Sequence, residues 1–113
     1  LLHSCGDNTK LFDLFIEWGF DGGHAYENTS TVDIAHEKRV HGDRFTIVGG
    51  VGIDYILTTR STPDEVRAYC ERIIDTVGRD GGFILGPSGQ TEDVKIENVK
   101  AMVDCAKEYG GAA

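Results

Sequence analysis

No stretch of this sequence is long and apolar enough to cross a bilayer, since none approaches the roughly 20 residues a spanning helix requires. Proline is scarce, with 2 in 113 residues, and one of them, Pro63, stands where a helix begins. Cysteine is scarce as well. The 3 present, Cys5, Cys70 and Cys105, are odd in number and scattered, which excludes a disulfide framework and points to a reducing compartment, the cytoplasm. A basic surplus is also missing. Lys+Arg 11 against Asp+Glu 19 leaves a formal charge of −8, which disfavours nucleic acid and anionic membrane as partners. There is no low-complexity segment and no linker. The initial residue is Leu rather than Met, and Leu1-Leu2 reads as the end of a strand, so a piece of a longer protein is expected.

What the sequence does contain is enough apolar residue, 40%, to bury one core, with 27% charged residues to cover it. Residues 1–113 therefore read as a single domain. Hydrophobic periodicity repeats one pattern four times: a short apolar run, a turn, then an amphipathic helix. After Leu1-Leu2 comes a helix from about Asn8 to Trp18, with Leu11, Leu14, Phe15 and Trp18 on one stripe and Gly19 as its stop. A weak strand near Phe20–Tyr26 precedes a helix over about Val32–Val40, capped by Ser30 or Thr31 and followed by Gly42. Phe45-Thr46-Ile47-Val48 then runs into Gly49-Gly50-Val51-Gly52. Thr62-Pro63-Asp64-Glu65 opens the third helix as a capping box with proline at its first position. Val66, Tyr69, Cys70, Ile73, Ile74 and Val77 continue that helix. Phe83-Ile84-Leu85 forms the last strand, and a helix carrying Ile96, Val99, Val103 and Ala106 closes at Gly110-Gly111. Alternation of this kind predicts an α/β fold with parallel strands, either a four-stranded doubly wound sheet or half of an eight-fold barrel. In both, chemistry belongs at the carboxyl ends of the strands.

Those ends carry His3-Ser4-Cys5-Gly6-Asp7, then His24, Tyr26, Glu27 and Asn28, then Gly49 to Asp54, then Pro87-Ser88-Gly89-Gln90. His3-x-Cys5 is the sharpest feature. A two-residue step on extended chain puts both side chains on one face, where imidazole and thiolate can converge on a borderline-soft ion such as zinc. The alternative is a strand-end histidine bonded to a carbonyl beside an inert buried cysteine. Glu27 is a candidate third ligand or a solvated loop carboxylate. Gly49–Gly52 matches neither a Walker loop nor a GxGxxG motif running into a helix, and reads as a glycine bend at a strand end. Asp54 points into the mouth or caps a local turn. Cys70 and Cys105 read as small core residues, His36 and His41 as surface or capping residues, and Trp18 as packing.

Leu2-His3-Ser4-Cys5-Gly6, Gly19-Phe20-Asp21-Gly22, Gly49-Gly50-Val51-Gly52-Ile53-Asp54, Thr62-Pro63-Asp64-Glu65-Val66, Ile84-Leu85-Gly86-Pro87 and Glu97-Asn98-Val99 together resemble the uroporphyrinogen decarboxylase superfamily. That superfamily includes the methylcobamide:thiol methyltransferases. The resemblance spans essentially the whole chain. It implies a (β/α)8 TIM barrel of which these residues are the C-terminal four βα units, or an open parallel sheet if the piece rearranges alone. In the methyltransferase branch an H-x-C motif and a later cysteine hold zinc, which activates an acceptor thiol toward a methylcobamide carried by a corrinoid protein. His3 and Cys5 match the motif. The later cysteine falls at Ser88, so Glu27 completes the site or the site is altered. Gly50, Asp54 and Ser88 are then the candidate substrate contacts. The decarboxylase branch, acting on a cyclic tetrapyrrole without a cofactor, has a histidine in place of Ser88 and no H-x-C. The expectation is a zinc-dependent corrinoid methyltransferase. The alternatives are a cofactor-free decarboxylase, or an inactive half-barrel that self-associates through its open edges as a homo-oligomer.

Overall fold

The alternating runs become strands and helices in the expected order in the computed structural model, which describes residues 1–29, 31–89 and 91–111. Strand β1 is Leu2–His3, β2 Gly22–Tyr26, β3 Thr46–Val51 and β4 Phe83–Pro87. Helix α1 is Phe12–Glu17, entered through a 3-10 turn at Thr9–Leu11; α2 is Ile34–His41, α3 Pro63–Ile73 and α4 Ile96–Glu108. A π turn at Ile74–Gly78 extends α3. Among the described residues no helix is long and apolar enough to cross a membrane.

Helix starts follow local chemistry. At α3 the capping box forms as the sequence predicts: Glu65 N–H donates to Thr62 Oγ1, and Thr62 N–H donates to Glu65 Oε2 at 2.8 Å. At α2 the expected cap is corrected. Ser30 lies outside the described residues, and Asp33 rather than Thr31 is the cap, its Oδ1 accepting from Ala35 and His36 N–H at 3.0 and 3.2 Å. Thr29 Oγ1 holds the Val32 N–H and Asn28 Oδ1 holds that of Ile34, so the chain stays extended until Asp33 can satisfy the free N–H groups.

All four strands are parallel and lie in the order β1-β2-β3-β4. A doubly wound sheet reverses its strand order at a switch point; this one does not, and its helices share one face. One row of the sheet, Leu2, Gly23, Ile47 and Phe83, turns toward the helices. Leu2, Ile47 and Phe83 there meet a core that includes Phe12, Phe15, Tyr26, Ile34 and Phe45. A second cluster, Val51, Val66, Cys70, Ile74, Met102 and Cys105, fills the space under α3 and α4. The adjacent row, His3, His24, Val48 and Ile84, turns to the opposite face, where Ile84 is 55% exposed.

Cys70 and Cys105 are core residues, as expected. The α1 stripe is not the expected one. Phe12 and Phe15 point inward with Ile16, while Leu11, Leu14 and Trp18 are exposed, Trp18 at 63%. The 3-10 entry advances about three residues per turn and shifts the phase, so Trp18 is not a packing residue. His41 is also buried rather than on the surface. It lies edge-on to Phe12, with its Nδ1 3.1 Å from Glu37 Oε2. His36 is exposed, as expected.

Asn98 ties α4 to the loop after β3. Fully buried, its side-chain amide donates to the carbonyls of Thr58 and Ser61 at 2.9 and 3.0 Å.

Candidate functional site

Strict alternation along β2 would put His24 and Tyr26 on the same face. The register with β3 shifts between them: His24 pairs with Val48 and Tyr26 with Gly49. The extra residue acts as a bulge that turns Tyr26 into the core, edge-on to Phe12, and leaves His24 on the open face. Gly49, at φ +132, has no room for a side chain, because a Cβ there would collide with the Tyr26 carbonyl.

On that open face β1 and β2 bring two imidazoles together. His3 and His24 are register partners, and their Nδ1 atoms are 2.8 Å apart. His24 Nε2 reaches across to the Pro87 carbonyl at 2.9 Å. On the other side of His3, Nε2 lies 3.6 Å from Cys5 Sγ. Cys5 is exposed and held by its loop: the Asn8 side-chain amide donates to Ser4 Oγ at 2.9 Å and to the Cys5 carbonyl at 3.0 Å. Hydrogen bonds from the Thr9 hydroxyl and N–H to Asp7 secure the next turn and hold the Asp7 carboxyl below its usual range.

The separation of His3 Nε2 and Cys5 Sγ tests the pair as zinc ligands. Bonds of about 2.0 Å to nitrogen and about 2.3 Å to sulfur at a tetrahedral angle place the two donors about 3.5 Å apart. The observed 3.6 Å agrees with this to about 0.1 Å. The pair therefore fits one edge of a zinc tetrahedron, with an imidazole and a thiol as suitable donors. Among the described residues no group of three or more His, Cys, Asp or Glu side chains gathers in metal-binding geometry.

Glu27 belongs instead to a second cluster. Its half-buried carboxyl is hydrogen-bonded by Ser88 and lies close over Gly52, where a Cβ would collide with Oε2. Burial holds the Glu27 carboxyl above its usual range, the Ser88 bond opposes this, and the neighbouring charge of Asp54 adds to it. Ser88 Oγ accepts from the Ile53 N–H at 3.3 Å, and Ser88 N–H donates to the Val51 carbonyl at 2.9 Å. Asp54 is exposed beside this cluster. Gly50 is buried, with φ +90; a Cβ there would meet the Phe83 ring, and its carbonyl accepts from Tyr69 OH at 2.8 Å. A cleft of about 300 Å³ runs between the loops after β1 and β2, lined by Gly6, Asp7, Ala25, Tyr26, Glu27 and Val32. Of the sequence-predicted residues, His3 meets Cys5, and Glu27 meets Ser88 and Asp54. Gln90 lies outside the described residues.

The uroporphyrinogen decarboxylase (URO-D) family pattern matches residues 1–109. The chain belongs to this family. Among solved structures, a methyltransferase from Methanosarcina mazei is similar over 96% of the chain, with a TM-score of 0.73 and 26% sequence identity. The chain spans 30% of the length of that protein. Comparison with curated proteins gives no significant match. Membership in the URO-D family accords with the consecutive parallel sheet and its candidate side chains at the carboxyl end. Sequence spacing places His24 among the strand-end residues without giving it a role, and places Asn8 only at the start of a helix. Their contacts come from the pairing of β1 with β2 and from a loop return, neither of which leaves a periodic signature.

Proposed function

We propose that this chain carries the thiol-activating end of a zinc-dependent corrinoid methyltransferase, which moves a methyl group from a methylcobamide on a partner corrinoid protein to a small-molecule thiol. The observation that carries the proposal is the 3.6 Å edge between His3 Nε2 and Cys5 Sγ. These two residues would hold the metal. Zinc so held lowers the pKa of an acceptor thiol while leaving the sulfur nucleophilic. The chain's own residues do the positioning. Asn8 fixes the Cys5 loop, and the register of β1 with β2 sets His24 beside His3. Glu27 and Ser88, with Asp54 and the Gly50 bend, shape the neighbouring part of the mouth. Ser88 is engaged by Glu27 and by the Ile53 N–H, and a hydroxyl is a weaker zinc donor than the thiolate the motif expects.

Zinc content of the purified protein tests this directly. Bound zinc that is lost in both His3→Ala and Cys5→Ala is expected. A zinc-free native protein, or zinc unchanged in both variants, overturns the reading. A second reading, metal-free decarboxylation of a cyclic tetrapyrrole, is supported by the family description. Turnover of uroporphyrinogen by chelator-treated protein would favour it.

A further inference from the structure

The contacts around His24 form a chain in which every proton can be placed. The Pro87 carbonyl can only accept, so His24 Nε2, 2.9 Å away, must carry a proton. A neutral imidazole has one such proton, which leaves His24 Nδ1 bare. The His3 Nδ1 atom facing it at 2.8 Å must then be the donor. That places the single proton of His3 on Nδ1 and leaves the lone pair on Nε2, the nitrogen turned toward Cys5 Sγ. No other arrangement of two neutral rings satisfies all three contacts.

We infer that His24 is a positioning residue which, anchored on the Pro87 carbonyl, fixes His3 in the Nδ1–H tautomer and aims its Nε2 lone pair at Cys5. Free histidine prefers the opposite tautomer, with the proton on Nε2, so the arrangement must be imposed by the neighbour. Metal-binding histidines are commonly set by an acceptor on the second ring nitrogen. Here the acceptor is another imidazole, itself oriented by a backbone carbonyl two strands away. The His24 ring reaches from β2 across β3 to the Pro87 carbonyl on β4. The tautomer follows from the hydrogen bonds alone, whereas the claim that the lone pair binds a metal rests on the zinc reading.

Long-range proton–nitrogen spectra of the metal-free chain, taken at about pH 8, above the ordinary imidazole range, read the tautomers directly. The expected result is a protonated Nδ1 and a bare Nε2 on His3, with the reverse on His24; the His3→Gln spectrum assigns the signals. His24→Phe keeps a ring but removes both nitrogens, and should move the His3 proton to Nε2. His24→Asn offers an amide oxygen near the lost Nδ1 and should restore the native pattern. A native His3 protonated on Nε2 overturns the inference even if no variant folds, and so does a His24→Phe protein whose His3 signals are unchanged. Cobalt(II) titration, followed by thiolate-to-metal absorption, separates the two claims. With the zinc reading correct, His24→Phe weakens binding by about 10–100-fold and His24→Asn by less. Native tautomers as expected without cobalt binding would sustain the positioning role and sink the zinc reading.

Discussion

Cys5 is exposed in the loop after β1, whereas Cys70 and Cys105 are fully buried between α3, α4 and the sheet. Burial pushes the Cys70 thiol up to about 12 and raises that of Cys105. A thiol needs both access and ionisation to react. Titration with a chromogenic disulfide should therefore modify one thiol in the native protein and all three after unfolding, with the native reaction abolished in Cys5→Ser. Fast labelling of two or more thiols in the native state would contradict this burial. At Glu27 the relevant property is the sign of a pH dependence. Its carboxyl is held above the usual range, first by burial, so the native state binds this proton more readily than the unfolded chain. The stability it contributes is present below the ordinary carboxylate range and is lost as pH rises through the raised native value. Glu27→Gln mimics the protonated form. Its urea midpoint should exceed that of the native protein at about pH 7 and converge with it at about pH 3.5, below the ordinary glutamate range. A variant less stable than native at neutral pH would refute this.

The elements that present the site are held by specific polar anchors as well as by apolar faces. The loop after β3, which brings Ile53 and Asp54 to the mouth, is tied to α4 by Asn98 through the carbonyls of Thr58 and Ser61. Asn98→Ala strands two carbonyls that had a buried donor, and should cost about 1–3 kcal/mol in urea unfolding. Amide exchange should accelerate around residues 58–61 while the α1 core stays protected. Uniform acceleration would instead mean that Asn98 supports the whole fold. Helix α1 shows how far periodicity can be trusted in a short element. The apolar spacing of Leu11, Leu14, Phe15 and Trp18 is helical, yet only Phe15 of the four is buried. Six helical residues entered from a 3-10 turn leave the facing direction to the core, and the aromatic contacts among Phe12, Phe15, Tyr26 and Phe45 decide it.

The whole molecule has one sheet face covered by helices and one that the described residues leave open. His3, His24, Val48 and Ile84 form a row on the open face, and β1 and β4 are the sheet edges. An apolar residue on an uncovered face and two unpaired edges favour association with another copy. The 113-residue chain should elute as a dimer or larger species by size-exclusion chromatography with light scattering. Ile84→Glu, at a side chain already 55% exposed, should shift it toward monomer without lowering its urea midpoint. A monodisperse native monomer would count against self-association.

The sequence by itself determined the α/β alternation, the capping box of α3, the two small core cysteines and the set of strand-end loops that hold the candidate residues. These depend on the spacing and chemistry of neighbouring residues. Only the tertiary structure decided which predicted donors meet. His3 and Cys5 are two residues apart on extended chain, so sequence spacing could foresee that pair, which stands at 3.6 Å. Glu27 and Ser88, on loops after different strands, are brought together by the order and register of the sheet. His24 faces His3 through the regular register of β1 with β2, and β2 then slips by one residue against β3 between His24 and Tyr26, which turns Tyr26 to the core. Such a shift depends on strand pairing across the sheet, with Gly49 supplying the backbone freedom the Tyr26 carbonyl demands. Periodicity records which face a regular strand presents; it does not record where regularity breaks, and here the break turns Tyr26 away from the face that carries the histidine pair.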